Sequence, residues 1–530
     1  MKEEAIRKFR DALGPEDFLD SSQALERYLR STIPVHRRIA AVARPRSVDQ
    51  VRAVVAIAAQ HKIPLYPIST GKNWGYGSAN PVRDDNLIVD LSQMNRIIEV
   101  NSTLAYAVIE PGVTQAKLYR YLEEHGTGLM MDPTGSGPQC SVLGNALERG
   151  YGITPYGDHF ASICGLEVVL ANGEVLRTGF THYPQARSSY VYKYGIGPYL
   201  DGIFTQSNYG IVTKMGLWLM PKPQHTEVFY FFAQNESDLP GLINAVRSLL
   251  LSGTVRSAIN LVHRDRALTM TDQYPWTAMR YAQPLHEGVA RRLAKKRNIF
   301  TWNGVGAVYG TRQQVKASKK VIKALLKGKV DRIQFVSDQH IRFLDVILDL
   351  FGQRLPFGLS KKISLLKQSF GILKGKPAEV SLKTPYWRAH QSPPQCDLDP
   401  ARDNCGLIWL APVIPMQAED VKLFVNLVRR IVAHYRFETC LTFTAVNPRA
   451  LDCSLPILYD KSDPEEISRA EACYEHLLKE CMASGYIPYR TGIQSMKNLV
   501  SPEDHYWRVV HALKKALDPD GIIAPGRYNV

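Results

Sequence analysis

Two adjacent residues near the carboxyl end of the chain have side chains that together can stabilise a negative oxygen. Tyr489 and Arg490 lie side by side in the stretch GYIPYRTG. A tyrosine hydroxyl and a guanidinium that converge on one oxygen would favour a phenolate or a carboxylate, because hydrogen bonds to a charged group are the strong ones. The structural alternative for such a pair is a surface tyrosine that packs against the arginine stem.

Four glycine-rich stretches indicate where the backbone can come close to a ligand. The first, GKNWGYG at 71–77, directly follows a strand-like run and matches neither a GxGxxG turn nor a Walker loop. The others are 135–159, 204–216 and 518–528. Because glycine has no Cβ, its backbone N–H can approach a phosphate or a ring. Four such loops predict a long ligand laid across one domain.

Several other chemistries lack the residues that they need. The sequence has no HExxH motif and no GxSxG nucleophile elbow, so hydrolase chemistry has no support. The eight cysteines are scattered without a CxxC pair, which argues against a zinc site and against a disulfide framework. We therefore predict no metal site.

The elements that must position these loops alternate between helices and strands. Residues 1–40 read as helices, and a strand, a helix with Ser47 as its N-cap and a second strand follow. An Asn-Gly turn at 172–173 predicts a hairpin. From about 226 to 482, strand-like runs alternate with long helices, which predicts a second α+β domain.

Length and apolar patterning limit the class of protein. With 530 residues the chain is long enough for two to four domains. No uninterrupted apolar run reaches the roughly 18 residues of a membrane span. The opening stretch MKEEAIRKFRDALG mixes both charges and lacks the apolar core of a signal peptide. We therefore expect a cytoplasmic location.

The net charge of +15 is concentrated in one segment. Residues 291–383 contain 21 lysines and arginines against five acidic residues. Within this segment, 316–376 combines apolar residues with regularly placed lysines, which is the composition of a helix lying on an anionic membrane surface. We predict peripheral contact with the inner membrane through 316–376; the alternative is an apolar stripe facing the core under solvated lysines. No nucleic-acid recognition motif accompanies the charge, so we predict no nucleic-acid partner.

Four ordered blocks resemble the vanillyl-alcohol oxidase / para-cresol methylhydroxylase family of flavoproteins. They are ISTGKNWGYGSA, GNALERGYGITPYGDHF with the following CGLEVVLANGEVLRTG, YGIGPYLDGIFTQSNYGIVTKMGLWLMPKP, and GIIAPGRY. The resemblance implies an α+β, two-domain FAD-binding fold. Its FAD domain would be built from residues 1–224 and 485–530, and a cap with an antiparallel sheet from 225–484, with a basic insertion at about 316–383.

The same resemblance implies a reaction and its residues. A para-substituted phenol of the cresol, alkylphenol, alkylguaiacol or eugenol type would bind as its phenolate and lose a hydride from the benzylic carbon to FAD, giving a quinone methide. Tyr76, Tyr489 and Arg490 match the phenolate-binding residues, and Arg527 matches an arginine near the flavin. The predicted cofactor contacts are Gly71, Lys72, Asn73, Gly75, Gly77, Gly144, Asn145, Gly157, Asp158, Tyr386, Gly210, Ile211 and Arg527.

The sequence departs from the family at three places. The flavin-binding histidine of the oxidase members is replaced at about Leu407, whereas Tyr386 in YWR matches the tyrosine that the methylhydroxylases link covalently to FAD. A histidine pair in the cap is replaced within 451–453, which reads Leu-Asp-Cys. An aspartate near the flavin corresponds either to Asp132 or to Ser136. The phenolate end is intact, and the end that holds the reactive side chain differs.

These departures favour a dehydrogenase or hydroxylase that passes electrons to a cytochrome c or a quinone. The alternatives are an oxygen-using oxidase of the same phenols, and a flavoenzyme of the same fold that acts on a non-phenolic alcohol or a hydroxy acid. A protein that keeps the fold without catalysis is a third hypothesis. The resemblance also implies a homodimer.

Overall fold

The computed structural model describes residues 1–351 and 357–529. Its helices are α1 (Glu3–Leu13), α2 (Ser22–Leu29), α3 (Val48–His61), α4 (Gln115–Glu124), α5 (Val142–Leu147), α6 (Leu239–Leu251), α7 (Arg264–Thr271), α8 (Glu287–Arg297), α9 (Arg312–Leu326), α10 (Asp338–Phe351), α11 (Phe357–Ile372), α12 (Ala418–His434), α13 (Pro464–Ala483) and α14 (His505–Leu517). Within the described ranges, no helix combines the length and the apolar character that crossing a bilayer requires.

The described chain also contains nineteen strands. They are β1 (Phe18–Leu19), β2 (Ile39–Ala43), β3 (Leu65–Ile68), β4 (Asn86–Asp90), β5 (Ile97–Asn101), β6 (Tyr106–Ile109), β7 (Leu129–Met130), β8 (Ile163–Val169), β9 (Val175–Arg177), β10 (Ile211–Trp218), β11 (Met220–Pro221), β12 (His225–Ala233), β13 (Ile259–His263), β14 (Trp302–Gly310), β15 (Arg332–Ser337), β16 (Gly406–Leu410), β17 (Val413–Pro415), β18 (Thr442–Ala445) and β19 (Ala450–Tyr459).

The amino-terminal part contains two main sheets. The first has the order β1-β2-β4-β3, in which β2, β4 and β3 are parallel, as the strand-helix-strand pattern around α3 requires. Ser47 caps α3 by accepting a hydrogen bond from Gln50 N, which confirms the predicted N-cap. The second sheet is antiparallel with the order β5-β6-β10-β8-β9, and its β8–β9 pair is the predicted hairpin.

The last residues of the chain return to the first sheet. Leu65 N on β3 donates to Ile522 O, and Ala524 N donates back to Leu65 O, both at 2.7 Å. Residues 522–524 also belong to the same apolar core as β2 and β4. The carboxyl end thus packs with the amino-terminal part of the chain.

The middle of the chain forms a large antiparallel sheet. Its order is β15-β12-β14-β13-β18-β19-β16, with β17 also paired to β19. Helices α6, α9, α12 and α13 supply apolar side chains to the core on one of its faces. This mixed architecture confirms the predicted α+β class. We propose 224 and 484 as the boundaries between the two parts.

The basic segment forms α9, β15, α10 and α11 at one end of this large sheet. A capping box at Thr311 and Gln314 begins α9, and Val315, Ile322 and Leu326 on this helix face the core. The lysines of α9 lie on the other side, as expected of an amphipathic helix. Of the predicted membrane-contacting segment 316–376, residues 352–356 lie outside the described residues.

Candidate active site

A cleft lies in the amino-terminal part of the chain, and Arg490 and Arg527 from the carboxyl end also line it. Its walls come from 66–73, which is the end of β3 and the loop after it, from 140–148 around α5, and from 204–212 up to the start of β10. Of the residues predicted from sequence, those that line it are Gly71, Lys72, Asn73, Gly144, Asn145, Gly210, Arg490 and Arg527. The glycine loops that are distant in sequence therefore meet in one elongated cavity.

The other predicted residues lie outside the lining of this cleft. They are Gly75, Tyr76, Gly77, Gly157, Asp158, Tyr386, Tyr489 and Ile211. Gly75 and Gly77 have a packing role: a Cβ on Gly75 would lie 2.2 Å from Trp409 Cδ1, and one on Gly77 would lie 2.8 Å from Ile493. Their missing side chains allow the loop to press against the cap strand β16 and the 489–493 segment.

The lining of the cleft suits an extended anionic cofactor such as FAD. Gly144 has no room for a side chain, since a Cβ there would lie 2.8 Å from Ser69 Oγ. The buried Ser78 hydroxyl lines the cleft and has no hydrogen-bond partner among the described residues. Backbone N–H groups, the unpaired Ser78 hydroxyl and two arginines are the kinds of donor that a pyrophosphate needs. The residues present therefore fit the cofactor that the sequence predicts.

Tyr76, Tyr489 and Arg490 are brought together from opposite ends of the chain. The Arg490 guanidinium carbon lies 4.1 Å from the centroid of the Tyr76 ring, and Arg490 also donates to Asn73 Oδ1. Ile493 N donates to Tyr76 O at 3.0 Å, and Tyr489 N donates to Ala411 O at 3.1 Å. The backbone contacts thus fix both tyrosines beside one cation.

The two tyrosines are held in their neutral form. Burial, and next the proximity of Tyr489, raise the pKa of Tyr76 well above its ordinary value, although Arg490 opposes the change. Burial and then Tyr151 raise the pKa of Tyr489 in the same way. Both hydroxyls therefore remain hydrogen-bond donors at neutral pH. Two donors and a guanidinium form a group that can stabilise a bound oxyanion.

Glu148 joins the two cleft arginines and was missed from sequence. Its carboxylate pairs with Arg527 and lies 3.6 Å from Arg490 Nε. Arg527 also donates to the Tyr66 hydroxyl at 2.9 Å. Glu148 stands inside the matched stretch GNALERGYG, so its place in the motif was visible, but its two partners were not. The Glu148 carboxylate therefore interacts with both arginines of the cleft.

Tyr151 was missed in the same stretch. Its ring centroid lies 5.7 Å from that of Tyr489, and its hydroxyl lies 3.1 Å from Ser454 Oγ on β19 of the cap. Burial, and then the carboxylate of Asp452, raise its pKa far above the ordinary value. Tyr151 therefore connects Tyr489 with the cap strand β19.

The two candidates for the aspartate near the flavin differ in their surroundings. Asp132 accepts hydrogen bonds from Thr154 N and pairs with His159 Nε2, each at 2.7 Å. It lies outside the lining of the cleft, whereas Ser136 is part of that lining. The Ser136 carbonyl also accepts a bond from Trp74 Nε1 at 3.3 Å. Position 136 is thus the one that faces the cofactor cleft.

Tyr386 lies in an apolar cluster of mostly cap residues, such as Leu407, against which Trp74 of the first glycine loop also packs. Its hydroxyl donates to Asp403 Oδ2. Burial, followed by this hydrogen bond, raises the pKa of Tyr386 far above the ordinary value. Two residues on, the buried Arg388 is paired with Glu438 and Glu466. The YWR stretch is thus held mainly by contacts within the cap.

Comparison with known proteins agrees with this geometry. Residues 39–179 match the family model described as an FAD binding domain. The chain is 39% identical to 1'-carboxy-chondrochloren decarboxylase of Chondromyces crocatus over 99% of this chain and 97% of that protein. It is 34% identical to the flavoprotein subunit of 4-cresol dehydrogenase (hydroxylating) of Pseudomonas putida, over 99% and 95%.

A solved structure extends the match to three dimensions. The crystal structure of p-cresol methylhydroxylase with substrate bound superposes with a TM-score of 0.88 at 33% identity, covering 99% of this chain and 96% of that one. The likeness spans the FAD-binding part and the cap together, which confirms the predicted fold. The chain belongs to the vanillyl-alcohol oxidase / p-cresol methylhydroxylase family and is an FAD-linked oxidoreductase.

Proposed function

We propose that the protein oxidises para-substituted phenols at the benzylic carbon. The observation that carries this proposal is the convergence of Tyr76, Tyr489 and Arg490 beside the cofactor cleft. A free phenol has a pKa of about 10, so a site that uses the phenolate must favour the anion. Two neutral tyrosine hydroxyls and one guanidinium supply that preference.

The chain's own residues bind and orient the phenol. FAD, when bound, supplies the hydride acceptor. Arg490 and the two tyrosines hold the phenolate oxygen, and the electron pair of the anion then pushes through the ring toward the para carbon. Loss of a hydride from the benzylic carbon is easier from the anion because the product is a neutral quinone methide. Addition of water or loss of a proton completes the reaction.

Decarboxylating oxidation is a second candidate function. It is supported by the 39% identity to a decarboxylase over nearly the whole of both chains. A quinone methide that carries a carboxylate on the carbon next to the benzylic one can release CO₂. The electron pair of the broken C–C bond then forms the side-chain double bond and returns the ring to a phenolate. The same phenolate-binding residues would serve both outcomes.

The test uses holoenzyme with matched substrates under exclusion of oxygen. We expect 4-ethylphenol to reduce the flavin, measured as loss of its visible absorbance. 3-Ethylphenol cannot form a para quinone methide, and 4-ethylanisole cannot ionise, so both should be inert. A 3-(4-hydroxyphenyl)propanoate that releases CO₂ would favour the decarboxylating reaction. Oxidation of a hydroxy acid with all phenols inert would support the non-phenolic alternative instead.

We propose a dehydrogenase that passes electrons to a cytochrome c or a quinone. The proposal is supported by the identity to the flavoprotein subunit of a dehydrogenase. Rapid formation of hydrogen peroxide with air as the sole acceptor would contradict it and favour the oxidase. Reduction of added cytochrome c or of a soluble quinone distinguishes the two acceptors. Sedimentation of the same holoenzyme tests the proposed homodimer.

A covalent link between FAD and Tyr386 is a further part of this proposal. Asp403 accepts the hydrogen bond of the Tyr386 hydroxyl, so a carboxylate is in place to receive the proton that the tyrosine would lose. Flavin that stays with the polypeptide after acid denaturation, and leaves it in Tyr386→Phe, is the expected result. Release of flavin from both proteins would mean that FAD is held without a covalent bond.

We propose peripheral membrane contact through 316–376. α10 exposes Phe343, Val346 and Leu350 at 66%, 53% and 68% of their surface. Their spacing places them on one side of the helix. The lysines of α9 line a groove together with residues at the start of α10. Apolar anchors and cations in the same segment suit an anionic lipid surface.

Flotation with vesicles tests this surface. Binding is expected to phosphatidylglycerol vesicles at low salt, to weaken as salt increases, and to be lost in Phe343→Ser/Leu350→Ser. Leu423→Ser, which changes an exposed leucine of α12 that is 54% exposed, is the control. Equal binding to phosphatidylcholine vesicles, or none at low salt, would contradict the proposal.

A further inference from the structure

Asp452 is a carboxylate on the cap strand β19 that faces the tyrosines of the site. Its chain neighbours Leu451 and Cys453 are fully buried in the apolar core of the cap. Since side chains alternate along a strand, Asp452 and Ser454 point to the opposite face. Ser454 on that face contacts the Tyr151 hydroxyl at 3.1 Å. Asp452 therefore borders the Tyr151–Tyr489 ring pair.

The Asp452 carboxylate has no partner of opposite charge among the described residues, and none of their groups donates a hydrogen bond to it. The charged group that acts on it is Asp158, and the Asp452 carboxylate in turn raises the pKa of Tyr151 and of Tyr489. Arg490 lies next to Tyr489, while the cross-strand neighbours Thr444 and Val413 do not titrate. Burial, and next the charge of Asp158, raise the pKa of Asp452 to about 7.

The proposed reaction needs an acceptor for the phenol's proton. Tyr76, Tyr151 and Tyr489 are protonated, so none is a base, and a guanidinium has no acceptor atom. Glu148 is occupied by two arginines. Among the described residues, Asp452 is a half-buried carboxylate beside the tyrosines that no cation occupies, and its ionisation falls in the range where general bases work best.

We propose that Asp452 accepts the proton of the bound phenol through the hydroxyl of Tyr489, in a hydrogen bond that forms only when the phenol is bound. This inference rests on the proposed function. The O–H bond of the phenol breaks and its proton passes to the Tyr489 oxygen, while the Tyr489 proton passes to Asp452. The electron pair stays on the phenol, which becomes the phenolate, and no group is oxidised or reduced in this step.

The sign of the pH dependence follows from this role. Below pH 7 Asp452 is protonated and cannot accept, so the phenol stays neutral and its oxidation is slow. Above pH 7 Asp452 is charged, and the rate reaches a plateau. The rate of flavin reduction by 4-ethylphenol should therefore rise with pH through an inflection near 7.

Variants at Asp452 and at its acidic neighbour test the role. Asp452→Asn should lose the inflection and lower the plateau rate by about 100-fold, while Asp452→Glu keeps an inflection. Asp158→Asn removes a nearby negative charge, so the inflection should move to lower pH. This last variant keeps Asp452 itself and serves even if Asp452→Asn does not fold.

A second readout does not depend on turnover. 4-Chlorophenol has no benzylic carbon, and its phenolate absorbs in the near ultraviolet. Wild-type protein should bind it with a phenolate band that grows through pH 7, and Asp452→Asn should bind it mainly as the neutral phenol. A wild-type rate, inflection and phenolate band in Asp452→Asn, or a wild-type phenolate band that does not change through pH 7, would overturn the role of Asp452 and leave the proposed function standing.

A different result would reject both proposals. If wild-type holoenzyme neither binds 4-chlorophenol nor is reduced by 4-ethylphenol at any pH, the phenol is not the substrate, and the role of Asp452 falls with it.

Discussion

Arg388 in the cap and Arg490 in the cleft both follow aromatic residues in sequence, but their partners differ. Arg388 is fully buried and donates to Glu438 at 2.8 Å and to Glu466 at 3.0 Å. Arg490 donates to an amide oxygen, lies over the Tyr76 ring and approaches one carboxylate at 3.6 Å. Two close carboxylates neutralise Arg388, so its role is to stabilise the fold. Arg490 has no carboxylate closer than 3.6 Å among the described residues, so its charge can still act on a ligand.

The largest expected effect is the loss of stability when the buried ion pairs of Arg388 are removed. Arg388→Ala leaves the buried Glu438 without a cation and the buried Glu466 with only Arg469 at 4.0 Å, so the free energy of unfolding should fall by about 3–5 kcal/mol. Denaturant unfolding measures it. Arg436→Ala is the matched control, because its ion pair with Glu465 is exposed and should contribute no more than about 1 kcal/mol. Equal losses in both variants would contradict the distinction.

The second prediction is that removing Arg490 lowers activity much more than stability, the opposite of the result expected at Arg388. Arg490→Ala should lower kcat/KM for 4-ethylphenol by about 100- to 1000-fold, as expected when a preorganised oxyanion partner is removed. The thermal unfolding midpoint should change little, because no carboxylate depends on this arginine alone. Arg187→Ala, an exposed arginine, is the control for catalysis. Loss of stability without selective loss of activity would make Arg490 a structural residue like Arg388.

A smaller effect is expected from the tyrosine hydroxyls. Tyr76→Phe and Tyr489→Phe each remove one donor to the phenolate, and a hydrogen bond to a charged group contributes about 1.5–3 kcal/mol. Steady-state kinetics with 4-ethylphenol should show this loss in kcat/KM. Tyr192→Phe changes a half-exposed tyrosine and should leave the kinetics unchanged. Wild-type turnover in both site variants would reject the phenolate model.

The sequence predicted much of the local structure because the signals are local. The Ser47 cap, the hairpin turn at 172–173 and the return of the chain end all follow from residues a few positions apart or from a matched motif. The predicted phenolate group could be named residue by residue because Tyr76 lies inside a matched block and Tyr489 and Arg490 form an adjacent pair that matches the family. The structure then brings Tyr76 and Arg490 into contact across more than 400 residues of sequence.

The parts that were missed depend on contacts between distant residues. Glu148 and Tyr151 stand in a matched block, but their partners Arg527 and Ser454 come from elsewhere in the chain. Tyr386 illustrates the opposite case: its YWR motif is visible in sequence, whereas its Asp403 partner and its place outside the cleft lining are set by packing. A motif indicates which residue types are present, and burial and partners determine what each one does.

The smallest expected effect concerns Glu148, whose carboxylate partly neutralises the charge of Arg490. Glu148→Gln keeps the shape of the side chain and removes its charge, so Arg490 and Arg527 would act more strongly on a bound anion. The dissociation constant of 4-chlorophenol, measured by difference absorbance at neutral pH, should decrease a few-fold. Glu123→Gln removes a half-exposed carboxylate paired with Lys222 and should leave the constant unchanged. Weaker binding in Glu148→Gln would mean that this carboxylate holds the two arginines in place. Arg490 would then depend on a carboxylate for its position, as Arg388 does.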